Sequence, residues 1–219
     1  MSSGLTLNAN YTWSKSIDDA SDVGSTFSET NIPQDVRKVR AEKALSSFDH
    51  RHRFVFSYSW QIPFSRQQKW MNGWTVTGLG SFQTGAPFTV ILPTDNANIG
   101  AGPAQRPNLI ANPNKNAPHT GTHWFNTAAF HMPAPFTFGS AGRNAVLGAG
   151  ESNVDFSLIK DTVLKENSAR LQFRAEVFNI FNHTNFADAP GRTAFTPGFG
   201  QYTVAENPRQ VQLAVKILF

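Results

Sequence analysis

Leu5, Leu7, Ala9, Tyr11 and Trp13 fall on one face of a two-residue repeat, and Thr6, Asn8, Asn10, Thr12 and Ser14 fall on the other. Period two is the geometry of a β-strand with one apolar and one polar side. The pattern returns along the chain. Phe54, Phe56, Tyr58, Trp60 and Ile62 oppose Arg53, Val55, Ser57, Ser59 and Gln61. Trp74, Val76, Gly78, Gly80 and Phe82 oppose Thr75, Thr77, Leu79, Ser81 and Gln83, with a continuation at 88–92 after the Gly85-Ala-Pro87 break. Asn153 to Leu164 alternates less cleanly, because Lys160 falls on the face of Val154, Phe156 and Leu158. Leu171, Phe173, Ala175 and Val177 then alternate with Arg170, Gln172, Arg174 and Glu176. Finally Val211, Leu213, Val215, Ile217 and Phe219 alternate with Gln210, Gln212, Ala214 and Lys216. The reading is all-β, with long strands near 4–14, 51–62, 74–83 (extended by 88–92), 153–164, 170–182 and 209–219, and no comparable helical period.

Several of these runs reach ten to twelve residues. Strands of soluble proteins cluster near 5 to 6 residues, whereas about 9 to 11 tilted residues cross an outer membrane. The connections alternate as well: 15–50, 84–152 and 183–208 are long, 63–73 and 165–169 short. Long outer loops opposite brief periplasmic turns are the habit of an antiparallel transmembrane β-barrel. If the last strand ends in the periplasm, Tyr11, Trp13 and Phe82 fall at the outer rim and Trp60 and Trp74 at the inner rim, as two aromatic girdles would. Arg53, Arg170, Arg174, Glu176 and Lys216 fall on polar faces, where a wet lumen tolerates charge, and the last four lie on adjacent strands where they would pair. Six strands do not close a membrane barrel, since about 8 are needed and open edges in lipid leave backbone groups unpaired. The expectation is a barrel section belonging to something larger.

Composition agrees with this. With 40% hydrophobic and 16% charged residues, the chain is too apolar for disorder, and no window holds the roughly 20 apolar residues of a spanning helix. The absence of cysteine removes disulfides, thiolate metal sites and a cysteine nucleophile. A net charge of +4, mostly dispersed, does not form the basic surface that nucleic-acid binding requires. The start, Met1-Ser-Ser-Gly-Leu, lacks the features of a secretory signal, and alternation begins at Leu5, so the chain reads as a fragment or a cytoplasmic β protein.

Six segments carry a family resemblance: Ser47 to Phe56, Gly73-Trp74 leading to Gln83-Thr-Gly-Ala-Pro-Phe88, Trp124 to Phe130, Phe138 to Arg143, Phe173 to His183, and Pro208 to Phe219. In this order they resemble the C-terminal barrel section of TonB-dependent outer-membrane receptors of the Oar-like group, whose full chains carry a carboxypeptidase-regulatory-like domain and a plug. The resemblance covers nearly all of 1–219. It implies a Gram-negative outer-membrane location and a barrel of about 22 strands closed by a plug. It also implies uptake of a large or scarce solute with energy from the TonB complex. The implied partners are outer-membrane lipid, the remainder of the barrel and plug, the TonB complex and the barrel assembly machinery. The last strand, Val211, Leu213, Val215, Ile217 and Phe219, looks like the C-terminal signal read by that machinery. The solute itself is not written in the sequence.

Other chemistry is sparse. Asp49, His50 and His52 could ligate a metal, but no further ligand has a motif spacing, so no metal is expected. The basic run Arg37, Lys38, Arg40, Lys43, Arg51 and Arg53, interleaved with Asp35, Glu42 and Asp49, reads as a solvated loop before it reads as an anion site. Gly78-Leu-Gly80 and Gly148-Ala-Gly150 lack the context of a dinucleotide cradle, so no cofactor is expected. No nucleophile elbow or ordered triad is present, and no enzyme activity is expected. Trp124, Phe125 and Arg143 are the candidate ligand residues of the loops. Two further classes compete: a soluble β-sandwich binding carbohydrate on Trp124 and Phe125, and an outer-membrane hydrolase.

Overall fold

The computed structural model describes residues 4–21, 33–64, 71–100, 105–165, 169–187 and 189–219. In chain order its strands are β1 (Leu5–Trp13), β2 (Ile17–Asp18), β3 (Ala44–Leu45), β4 (His52–Gln61), β5 (Trp74–Gln83), β6 (Pro87–Phe88), β7 (Asn108–Leu109), β8 (Phe130–His131), β9 (Val146–Leu147), β10 (Glu151–Lys165), β11 (Ala169–Phe178) and β12 (Gln210–Leu218). Two 3-10 segments, Val36–Glu42 and Thr127–Ala129, are the helical elements among the described residues. The molecule is all-β.

The six long strands form one antiparallel meander in the order β1-β4-β5-β10-β11-β12. Its register builds two continuous faces. Tyr11 pairs with Phe54 and Phe54 with Phe82, while Leu158 pairs with both Val76 and Ala175, and Ala175 with Leu213, so the apolar positions of all six strands share a side. Phe54, Phe56 and Phe82 stack there with ring centroids 5.9–6.4 Å apart. Gly80 and Gly78 make room for this. A Cβ on either would overlap the ring of Phe56 or Tyr58 lying flat across β5, a close approach that only glycine permits.

The sheet is open: β1 and β12 are its edges, and among the described residues neither pairs on its outer side. It is also a single layer. No second sheet covers either face among the described residues, so the sandwich architecture does not hold.

The loops hold the core. Segments 84–150 and 179–209 close one end of the sheet as a cap whose buried cluster is Phe88, Val90, Phe125, Ala129, Phe130, Ala141, Val146 and Ala194. Edge-to-face ring contacts of 5.2–5.9 Å join Phe125 to Phe88, Phe130 and Phe199. Backbone bonds bind the two segments together, Ile91 N–H to Arg192 O at 3.0 Å and Trp124 N–H to Gly200 O at 2.8 Å among them. Small pairings of β2 with β3, β6 with β9 and β7 with β8 fix the loops internally.

This cap corrects the sequence reading at 88–92. Those residues do not extend β5: Gly85 lies so close to the Gly148 carbonyl that a side chain would overlap it, and the chain turns there into the cap. Phe88, Val90 and Leu92 are buried, but so are Thr89 and Ile91, so their alternation no longer divides an apolar face from a wet one. β11 likewise stops at Phe178 rather than running to 182. Asn179 and Asn182 both take positive φ, and Asn179 pins the turn by accepting from His183 N–H and donating to His183 O. β10 begins earlier, at Glu151, and continues to Lys165.

Candidate functional site

Long loops at one end of a sheet gain a fixed shape only if something ties them together, and here buried ion pairs do so. Asp35 caps the 3-10 turn Val36–Glu42 by accepting from Arg37 N–H. That turn sets Glu42 into the cap, where its carboxylate takes two bonds from Arg106, Nη1 to Oε2 and Nη2 to Oε1, both 2.6 Å. Both side chains are only 5% exposed. Gln34 buttresses the pair, accepting from Arg106 N–H at 2.8 Å and donating to Gly139 O at 2.9 Å. A second guanidinium does similar work: Arg143 donates from Nε to Glu42 O at 2.8 Å and from Nη2 to the Asp18 carbonyl and carboxylate. Asn144 Nδ2 donates to Leu45 O. Asp18, Gln34, Glu42 and Leu45 are thereby fastened to the cap at Arg106, Gly139, Arg143 and Asn144.

Beneath the cap, where it meets the polar face of the sheet, lies a cavity of about 580 Å³. Gln83, Glu151, Asn153 and Asp155 rise into it from β5 and β10, while Asn185, Glu206, Asn207 and Gln210 come from the loop before β12 and the start of that strand. Neighbours hold these groups in place. Gln83 Nε2 donates to Glu151 Oε2 at 2.9 Å, Asp155 Oδ1 accepts from Asn179 N–H and from Asn153 Nδ2, and Asn185 bonds both N–H and carbonyl of Ser152. No lysine or arginine is among the described residues lining it. Three carboxylates surrounded by amides make an acceptor-rich wall that favours cationic or hydroxylated groups and repels anions.

Trp124 stands beside a neighbouring cleft with His119, His183 and Phe186. Its indole N–H donates to Leu147 O and its ring meets Tyr202 edge-on at 5.3 Å. Tyr202 stacks on Phe186 at 4.3 Å, and burial raises its phenol above the ordinary value against the opposing bond from Ala149 N–H.

The other residues singled out in the sequence divide clearly. Phe125 is 2% exposed in the cap core and Arg143 is buried in its ion pair, so of the three candidate loop residues only Trp124 borders open space. Arg53, Arg170, Arg174, Glu176 and Lys216 share the polar face by register, and Arg174 pairs with Glu176 at 2.7 Å along the same strand. Tyr11, Trp13 and Phe82 lie toward the loop-bearing end, Trp60 and Trp74 at the turn-bearing end. Val211, Leu213, Val215 and Ile217 line the exposed apolar side of edge strand β12, and Phe219 projects beyond it. Asp49, His50 and His52 diverge: Asp49 accepts from Ser16 N–H, His50 Nδ1 bonds Thr84 O and His52 Nδ1 bonds the Tyr11 hydroxyl. Sequence reasoning missed the Glu42–Arg106 pair and most of the cavity wall. Glu42 and Arg106 stand 64 positions apart, and no motif links them.

A single apolar face, a polar face bearing charge and strands of nine to fifteen residues are the marks of a membrane-barrel wall. A family model described as an outer membrane beta barrel domain matches residues 1–212. The chain belongs to this outer-membrane β-barrel family. Its apolar face is therefore the lipid face, its polar face the lumen side, and its location the outer membrane. No curated protein and no solved structure matches it.

The tie at Asp18 titrates. Burial disfavours its charge, but hydrogen bonds from Ser46, Arg143 and Ser21 together with the Arg143 charge outweigh that and hold the carboxyl below its ordinary 3.8. A depressed folded value contributes stability that is complete above the unfolded value and lost as pH falls through the folded one. Protease cleavage within 14–51 is therefore expected to rise as the pH drops below about 3.8, and Asp18→Asn should flatten that rise. Unchanged pH dependence in Asp18→Asn would show that the acid limit lies elsewhere.

Proposed function

We propose that this barrel section forms part of a TonB-dependent outer-membrane receptor that takes up a scarce solute, within a barrel of about 22 strands enclosing a plug. The observation that carries the reading is the acceptor-rich cavity at the loop-bearing end of the lumen face, whose carboxylates and amides are held in place by the Gln83–Glu151, Asn179–Asp155 and Asn185–Ser152 hydrogen bonds. A simple diffusion pore gains nothing from a fixed set of binding groups. A receptor that must capture a dilute solute before an energised step does gain, because preorganised binding groups lose less entropy on association. The open edges β1 and β12 support the same reading, since both require partner strands before the sheet can rest in lipid. The exposed β12 edge, with Val211, Leu213, Val215 and Ile217 on its lipid side, suits templated pairing by the barrel assembly machinery. In this reading the chain carries out no catalysis, and its cavity selects neutral or cationic polar solutes over anionic ones.

Comparison of the solutes left in spent medium tests it. Compounds that accumulate when the gene for this chain is deleted should also accumulate when TonB is removed from the same host. A compound that only the gene deletion leaves behind would point to TonB-independent diffusion.

A further inference from the structure

Lys160 stands on the lipid face, in register with Trp74 on one side and Phe173 on the other. A lysine among lipid-facing side chains is costly unless its amine reaches a polar rim or meets a counter-charge. Its Nζ does reach the turn-bearing end, donating to the Asn72 and Asp161 carbonyls and lying 5.7 Å from the centroid of the Trp74 ring. Carbonyls and a π face solvate the charge without cancelling it. Among the described residues Lys160 makes no ion pair, and the Asp161 carboxylate turns to Gln172 Nε2 instead.

Beside this amine the apolar surface is hollowed. Ala175, between Leu158 and Leu213 in register, forms the floor of a groove of about 420 Å³, and Phe173, Val215 and Trp74 lead from it toward Lys160. We propose that this groove binds an anionic phospholipid, with an acyl chain along Ala175 and the headgroup phosphate on the third N–H of the Lys160 amine. The occupant follows from the surroundings: a membrane-facing apolar slot ending in one uncompensated cation fits a molecule that is apolar along its length and negative at its head.

The test uses the complete barrel that carries this chain, in phosphatidylcholine bilayers with a trace of spin-labelled phosphatidylglycerol or spin-labelled phosphatidylcholine, read by the motionally restricted fraction of the spectrum. The anionic phosphatidylglycerol should be preferred by about fivefold, the effect of one lysine near a membrane surface. Lys160→Gln should abolish that preference, Lys160→Arg should keep it, and Ala175→Phe should reduce it by filling the groove while leaving the charge. Lys216→Gln, on the lumen face, should leave it intact. A preference that survives Lys160→Gln, or one that Lys216→Gln removes equally, overturns the site in favour of diffuse charge attraction.

Discussion

Glu42→Ala is expected to destabilise the loop cap by about 3–5 kcal/mol, because it leaves the Arg106 guanidinium buried without its counter-charge. Arg106 is 4% exposed, so water cannot readily replace the two lost 2.6 Å bonds. The loss should appear as a lower denaturant midpoint for protease cleavage within 14–51 and 84–150, measured on the full chain in detergent. Replacing both partners, Glu42→Met with Arg106→Met, should cost less than either single change. An apolar pair of similar volume removes the desolvation penalty together with the attraction. A single variant within about 1 kcal/mol of wild type, the range of an exposed pair, would mean that the cap opens to solvent around Glu42.

The six-stranded wall was legible in the sequence because a strand between lipid and water has no alternative to alternation: one slipped residue would place every side chain in the wrong solvent. The register bears this out residue by residue, from Leu5 beside Trp60 to Leu171 beside Ile217. Lys160, which interrupts the pattern in the fourth long strand, has a physical place in it, since its amine leaves the apolar surface for the carbonyls at the rim. The cap was not legible for the opposite reason. Its core gathers Phe88, Phe125, Phe130 and Ala194 from remote turns that keep no period, and its ties join residues 64 and 125 positions apart. Adjacent residues even face different environments: Phe125 enters the core while Trp124 borders a cleft. At 88–92 the alternation was real and its cause was different, a segment buried on both sides.

Phe125→Ala separates the two halves of the molecule most sharply. The ring is 2% exposed and meets Phe88, Phe130 and Phe199 edge-to-face, so truncation both removes apolar burial and leaves a void that three rings cannot close without shifting. A loss of about 3–5 kcal/mol follows for a buried phenylalanine. Phe54, 38% exposed on the lipid face, offers the contrast: its alanine variant still meets lipid, and it should lose only a small part of that amount. Because the ring partners of Phe125 and its buried cluster all lie in the loops, the damage should remain there. Amide exchange should accelerate across 86–147 and 189–201 and stay slow in β4, β5 and β10, whose ladders run along the sheet, with the loop residue Asn185 meeting β10 at Ser152. Faster exchange throughout those strands would show that cap and wall unfold as one unit, and that the loops help hold the sheet rather than resting on it.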